Sequence, residues 1–213
     1  IKTNFLSLVT NIKFKNNYWK ITINNKERIN FKNLIFTCPY PQLISLTSKY
    51  LPKQIIKSKT RMIPNITVML AYKYNLKMNI SSIKFNNDKL AWAANENSKE
   101  RFKSNKILWT LQCTEKYSKK IIDLVKNNKN YYLKEIAKEF ENLIGFKAKD
   151  LIFKNIHGWR YAYVTREKKL KNLWIKKFNL GICADWMIGS KAEGAWLSAN
   201  SLFKKTKKNP VSL

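Results

Sequence analysis

Apolar and polar positions alternate twice near the start of the chain. Val9 to Phe14 alternates, Asn16-Asn17 interrupts, and Tyr18 to Ile23 alternates again before a second break at Asn24-Asn25. Two period-2 runs closed by Asn pairs predict a β-meander. Phe31 to Thr37 holds the short apolar run Leu34-Ile35-Phe36, which predicts a buried strand. Cys38-Pro39 and then Pro41 end it, because proline donates nothing to a strand ladder. Residues 42–58 begin helically and turn basic, and Pro52 breaks that pattern. Ile66 to Tyr74, Ile80 to Phe85, Leu90 to Ala94 and Ile107 to Cys113 each read as strands, with Asn86-Asn87-Asp88 as one of the turns. Four strands with short connections predict an antiparallel sheet.

The period then changes. Ser118 to Lys126 places Ile121, Ile122, Leu124 and Val125 on one side. Leu133 to Ile144 repeats Leu133, Ile136, Ala137, Phe140, Leu143 and Ile144 at helical spacing, with Gly145 as a natural C-cap. Asp150 to Asn155 returns to strand and continues through His157-Gly158-Trp159-Arg160-Tyr161-Ala162. A lysine-rich loop spans 167–177. Leu180 to Ala184 reads as a short buried strand, and Glu193 to Lys205 as a helix entered through Gly189 to Gly194.

The chain has 213 residues, room for one large domain or two small ones, and 45% apolar content is enough for a real core. It begins at Ile1 rather than Met, a first hint of a fragment or a processed chain. It carries no signal-peptide pattern, and no apolar run approaches the ~18 residues a membrane helix needs. The expectation is a soluble, cytoplasmic protein. Cys38, Cys113 and Cys183 are far apart and form no CxxC or Cys/His cluster, so reduced thiols are expected and no metal site is. The net charge of +29 invites a nucleic-acid reading. The lysines are dispersed, however, and the chain has only five arginines, the residue that base readers favour. The surplus of Lys, Asn and Ile is that of A/T-rich codons, so no specific nucleic-acid partner is expected. The Lys204 to Lys208 run reads as a solvated terminus.

The strongest chemical signal is Leu180 to Asn200. An apolar strand ends at Asp185, a loop with Gly189 follows, and Glu193-Gly194-Ala195-Trp196 opens a helix of small residues. A helix N-terminus exposes unpaired amides and a positive dipole end, which stabilise negative charge on a ligand. Gly194 and Ala195 would let the backbone approach closely. Asp185, at a strand's end, can accept hydrogen bonds from a sugar-alcohol hydroxyl or simply cap a turn. Trp186 either lines a ring pocket or packs. His157 is the sole histidine, Trp159 falls on one strand face and Arg160 on the other, free to pair with an acid or meet an anionic substrate.

This stretch resembles the C-terminal flavin motif of the FAD-dependent amine oxidase superfamily, in which an apolar strand ends in Gly-Asp and a Glu-Gly-Ala-(Trp)-x-Ser-Gly helix follows. Ala184 stands where the family often has Gly, and Asn200 where a final Gly is common. Other pieces follow in order. Val9, ahead of Asn11-Ile12 and Trp19, is similar to a strand whose backbone meets the adenine. Leu34 to Gln42 resembles a strand end with the pattern Pro-x-Pro-Gln. Met62-Ile63-Pro64 before Thr67 to Leu70 resembles the lead-in to the substrate-domain sheet. Trp92, Asn97-Ser98-Lys99, Arg101, Trp109 and Tyr117-Ser118 are similar to a series of the renalase-like branch, with Glu100 in place of its proline and no glycine before Arg101. His157 to Ala162 looks like that branch's His-x-Trp-Arg-Tyr-Ala.

The resemblance implies an α/β (α+β) fold: an incomplete Rossmann-like FAD-binding domain, residues 1–50 and 166–213, interleaved with a substrate domain, residues 51–165, of antiparallel sheet plus helices. It implies FAD contacts at Val9, Pro39, Asp185, Trp186, Glu193, Gly194 and Ala195, and catalytic roles for His157, Trp159 and Arg160. The expected activity is oxidation of a small molecule, an amine or a dihydronicotinamide, by hydride transfer to FAD. None of the five glycines forms the GxGxxG loop such a domain needs, so the chain is expected to be truncated at its N-terminus. The competing readings are a non-enzymatic basic module for nucleic acid or acidic surfaces, and a structural relative that keeps the fold without the flavin.

Overall fold

The computed structural model describes residues 2–57, 60–73, 80–101, 103–165, 170–189 and 191–207. Tyr74, Arg166, positions 167–169 of the lysine-rich loop and Lys208 lie outside them. The chain forms two compact units, Ile1–Met62 with Val164–Leu213, and Ile63–Tyr163. The sequence-based divisions at 50/51 and 165/166 differ from these. Leu51 is buried with the first unit's core, and the Tyr40 hydroxyl donates to the Ile55 carbonyl at 2.8 Å, which ties residues 51–57 to that unit.

The first unit opens with β1 (Val9–Lys15), β2 (Tyr18–Ile23) and β3 (Glu27–Phe31), an antiparallel meander in the order β1-β2-β3. Both Asn pairs make its turns. Asn16, Asn17, Asn24 and Asn25 all have φ between 50° and 62°, the left-handed region that two-residue hairpin turns require and Asn tolerates. The expected buried strand at Leu34-Ile35-Phe36 is β4 (Leu34–Phe36), which begins a second sheet, while β3 completes the meander and ends at Phe31. β3 escapes a pattern reading because four of its five residues are exposed. In the second sheet, β10 (Leu173–Ile175) pairs antiparallel with β11 (Leu180–Ile182), and β11 pairs parallel with β4. Helices α1 (Tyr40–Thr47), α2 (Lys53–Ile56) and α5 (Ala192–Lys207) complete the unit. Its core gathers Ile12, Trp19, Leu43, Leu180 and Met187. Fully burying an aliphatic side chain of this size contributes roughly 1.5–3 kcal/mol. Trp19 sits at its centre between Phe14 and Tyr50, with ring centroids 5.1 and 4.8 Å away, and its indole donates to the Phe178 carbonyl at 2.7 Å.

The second unit is built on β5 (Arg61–Tyr72), β6 (Ser82–Lys84), β7 (Leu90–Asn95), β8 (Ile107–Cys113) and β9 (Leu151–Thr165), in the order β6-β7-β8-β5-β9. β8 alternates strictly: Ile107, Trp109, Leu111 and Cys113 are buried, while Leu108, Thr110 and Gln112 are half-buried on the other face. The buried side is covered by α3 (Glu115–Ile121) and α4 (Lys129–Ile144), which contribute Tyr117, Ile121, Leu133, Ile136 and Phe140 to one core. α3 begins three residues before the expected Ser118, because the Thr114 side chain accepts from the Tyr117 amide as an N-cap, and it ends at Ile121 rather than Lys126. α4 ends at Gly145, whose φ of 74° is the left-handed cap that glycine suits. Among the described residues, no helix is long and apolar enough to cross a membrane.

Candidate functional site

The parallel pair β4 and β11 defines the place where chemistry is expected in the first unit. Leu34, Ile35 and Phe36 lie in register with Leu180, Gly181 and Ile182, so the two strands end side by side. In open α/β sheets, ligands bind outside the carboxyl ends of parallel strands. Here those ends are Thr37-Cys38-Pro39, leading into α1, and Cys183-Ala184-Asp185, leading towards α5. The Trp186 indole locks them together, donating to the Cys38 carbonyl at 3.0 Å and packing edge-on against Tyr40 at 5.3 Å. Trp186 is 2% exposed, so its ring is a packing element.

Asp185 is half-buried. One carboxylate oxygen accepts from the Trp186 amide at 2.7 Å, and its carbonyl accepts from the Ile188 and Gly189 amides. The start of α5 is folded onto this turn. Lys191 N–H donates to Gly189 O at 2.9 Å, and Gly194 N–H to Lys191 O at 2.8 Å. Ala195 N–H reaches the same Lys191 carbonyl at 3.4 Å. The amides of Gly194 and Ala195 are therefore engaged within the turn. The close approach that Gly194 permits is to backbone, since a Cβ there would lie 2.6 Å from the Gly189 carbonyl oxygen. Glu193 is exposed in the first turn of α5. Among the described residues, nothing accepts from the amides of Ala192 and Glu193, and they are the ones left to meet an anion.

A groove of about 520 Å³ lies alongside, lined by β1, β4 and α1, including Val9, Ile12, Phe36, Cys38 and Gln42. Val9 thus faces the strand end that precedes Pro39. Asp185, Glu193, Gly194 and Ala195 do not line it. Burial raises the Cys183 thiol's pKa, and it raises that of Cys38 against a backbone hydrogen bond that lowers it, so neither thiol is a ready nucleophile.

The other three residues singled out by sequence lie on β9 in the second unit. Ile156 is buried, and a Cβ on Gly158 would meet Ile122, Val125 and Ile66 of the helix-covered core. His157 and Trp159 therefore project to the uncovered face, where their rings lie 4.3 Å apart. Arg160 alternates back to the helix side and pairs with Asp123 at 2.5 Å. The structure brings His157 and Trp159 together and sets Arg160 apart from them.

Sequence reading gave no site role to Glu96, Thr110, Gln112 or Tyr163, which also bear on the uncovered face. Thr67 and Met69 of β5 are in register with Gln112 and Thr110 of β8, and the Tyr163 hydroxyl donates to Gln112 at 2.9 Å. Glu96, just past β7, accepts from the Thr110 side chain and is held by Lys99 at 2.8 Å and Arg101 at 2.5 Å. Burial pushes the Glu96 carboxyl up, but the hydrogen bonds from Lys99 and Thr110 and the charges of Lys99 and Arg101 outweigh it and leave the pKa lowered. The polar alternation of Thr110 and Gln112 between buried neighbours was the signal available.

No protein-family model matches the chain. Solved structures do share its fold. A provisionally assigned protoporphyrinogen oxidase from Exiguobacterium sp. 255-15 is similar with a TM-score of 0.70 at 8% identity, over 95% of this chain and 47% of that one. Putrescine oxidase, solved as the wild type bound to putrescine, is similar with a TM-score of 0.64 at 10% identity, over 95% and 48%. An oxidoreductase from Methanosarcina mazei gives 0.57 at 16% identity, over 93% and 49%. The chain spans about half the length of these structures. Its mixed α/β fold is the one these oxidoreductases share. At such identities the likeness fixes the fold, and function has to be argued from the site.

Proposed function

We propose that the chain is part of an FAD-dependent oxidoreductase of the amine oxidase superfamily, close to its renalase-like branch, which oxidises a small molecule. The observation that carries this reading is the side-by-side ending of parallel β4 and β11 at Pro39 and Asp185, next to the start of α5. The donor and acceptor set suits a flavin dinucleotide. Asp185 has a carboxylate for a sugar-alcohol hydroxyl, and the first amides and dipole of α5 favour negative charge. The Val9 groove is wide enough for an apolar-edged ring such as adenine. When bound, FAD would supply the two-electron chemistry, taking hydride from the substrate and passing the electrons to oxygen. The first unit holds and orients the dinucleotide, and the second presents the substrate on its uncovered sheet face, with His157 and Trp159 beside it. The reading requires a Gly-rich diphosphate loop, which none of this chain's glycines forms, so that loop must come from sequence beyond these residues.

The test is equilibrium dialysis of the chain against FAD and against riboflavin. FAD should bind, weakly for want of the diphosphate loop, and Asp185→Ala should weaken it by about tenfold to a hundredfold, the worth of a charge-assisted hydrogen bond. Absence of binding at millimolar FAD, or indifference to Asp185→Ala, overturns the reading.

A further inference from the structure

β4 stands at the edge of its sheet, whose order is β10-β11-β4, and pairs with β11 alone. The bonds to β11 use Leu34, whose amide donates to the Asn179 carbonyl at 3.1 Å, and Phe36, whose carbonyl accepts from the Cys183 amide at 3.1 Å. Peptide groups point to alternate sides along a strand, so the Ile35 N–H and C=O and the Thr37 N–H point to the free edge. Among the described residues nothing pairs with them. The groove of about 520 Å³ runs along this edge. Leu34, Ile35, Phe36, Thr37 and Cys38 line it in unbroken succession, whereas a strand face would show every second residue. Its other walls come from the meander and α1. None of its lining residues is charged, in a chain where 26% of all residues are. Ile35 is 55% exposed, yet a Cβ on Gly181 would meet both it and Leu202, so α5 already lies against the sheet face that Ile35 extends.

We propose that this edge receives a further parallel strand, uncharged and apolar, whose carboxyl end runs into the Gly-rich diphosphate loop that the flavin reading requires. The inference rests on that reading. An unpaired edge without charge, proline or bulge is a template for strand addition. A strand set there has α5 on one side and the groove on the other, so both of its faces must be apolar. The direction follows from the site. Parallel to β4 and β11, the strand ends beside Thr37 and Cys38, at the end of the sheet where Asp185 follows β11. A loop leaving it there opens onto the crevice that Asp185 and the first amides of α5 face. Laid antiparallel, it would end beside Asn33, at the far end of the strands from Asp185. Val9 belongs to the meander wall, so a ring lodged against it and a strand laid along β4 use different atoms. A second copy of this chain would bring +29 against +29. The fold has room for such a strand, since this chain spans about half of the structures that share it.

The probe is a synthetic peptide in which a short run of alternating valine and isoleucine leads into Gly-Ala-Gly-Leu-Ala-Gly, kept soluble by a neutral polyethylene glycol tail at its amino end. Its control is the same peptide N-methylated throughout the Val/Ile run, which keeps the side chains and loses the donors. With millimolar peptide added to the full chain, the Ile35 and Thr37 amides should gain at least about tenfold protection from hydrogen exchange, and those of β8 in the second unit should not change. The control should protect neither. A spin label at the peptide's carboxyl end should broaden the signals of Cys38 and Asp185 and leave Asn33 sharp. The peptide should also tighten FAD in dialysis by about tenfold, because its loop adds amides to the diphosphate. No protection of Ile35 and Thr37, equal protection by the control, or a label that broadens Asn33 overturns the proposal. Docking with no FAD binding, with or without the peptide, supports the strand and fails the flavin reading. FAD binding with no docking overturns the strand alone.

Discussion

Two glycines five residues apart, on either side of the turn that leads into α5, should respond oppositely to the same substitution. A methyl group on Gly194 would lie 2.6 Å from the Gly189 carbonyl oxygen and 3.4 Å from its nitrogen, and both are backbone atoms. To reach ordinary contact the two segments must part by about 0.8 Å. That movement pulls on Gly189 O, which accepts from Lys191 N–H, and on Gly189 N–H, which donates to Asp185 O at 2.8 Å. Overpacking a tight site costs ~1–3 kcal/mol, while alanine gains at most ~1 kcal/mol over glycine in a helix. Gly194→Ala should therefore destabilise the first unit by about 1–2 kcal/mol. Nothing lies within 4 Å of a Cβ on Gly189, and its φ is not in the left-handed region. Gly189→Ala should then be neutral or stabilising by up to about 1 kcal/mol, through the unfolded chain's entropy.

Urea denaturation of both variants measures the difference. Because the chain has two units, exchange protection of the Gly181 and Ile182 amides gives the local value for the first. Gly194→Ala should also shift the Asp185 carboxylate and weaken FAD in dialysis, whereas Gly189→Ala should leave it unchanged. A Gly194→Ala protein as stable as wild type would show that α5 does not nest on Gly189, and the placement of Asp185 beside it would lose its physical basis.

Two further outcomes follow from buried polar groups in the second unit. Among the described residues the buried Trp109 indole N–H has no hydrogen-bond partner, so Trp109→Phe removes an unsatisfied donor worth ~1–3 kcal/mol while opening a cavity worth about 1 kcal/mol. The variant should unfold in urea within about 1 kcal/mol of wild type or above it, and a loss of more than ~2 kcal/mol would mean the N–H is satisfied. Glu141 is 7% exposed; burial raises its pKa, partly offset by the hydrogen bond from the Tyr72 hydroxyl and the charge of Lys154. Between the unfolded carboxyl value of about 4.3 and that raised value, the native state holds more protons. Glu141's contribution is thus fully present at low pH and is lost as pH rises through the window. Glu141→Gln should gain stability over wild type as pH goes from 4 to 7, and a gap independent of pH would refute the assignment.

What could be read from sequence was what local chemistry forces. Asn16-Asn17 and Asn24-Asn25 announce their turns because few other residues accept two successive positive φ angles, and Gly145 announces the end of α4 for the same reason. Strand alternation already put Trp159 on one face and Arg160 on the other. What could not be read was set at a distance. The parallel pairing of β4 with β11 joins positions about 146 residues apart, and nothing in Leu34-Ile35-Phe36 names Leu180 to Ile182 as its partner. Glu96 drew no attention in the sequence, because the Thr110 side chain that binds it comes from fourteen residues on.

Gly194 shows the deeper difficulty. Sequence led us to expect that the backbone comes close at this position, and the expectation was drawn for a ligand. The ligand was the natural candidate, yet the neighbour is Gly189. A small residue in a helix's first turn is required equally by a ligand's approach and by the turn that builds the ligand's site. Here the second demand explains the glycine, and any contribution of α5 to flavin passes to the amides one step earlier, at Ala192 and Glu193. Substitutions at Gly194 therefore report on how the site is shaped, and only those at Asp185 report on what it holds.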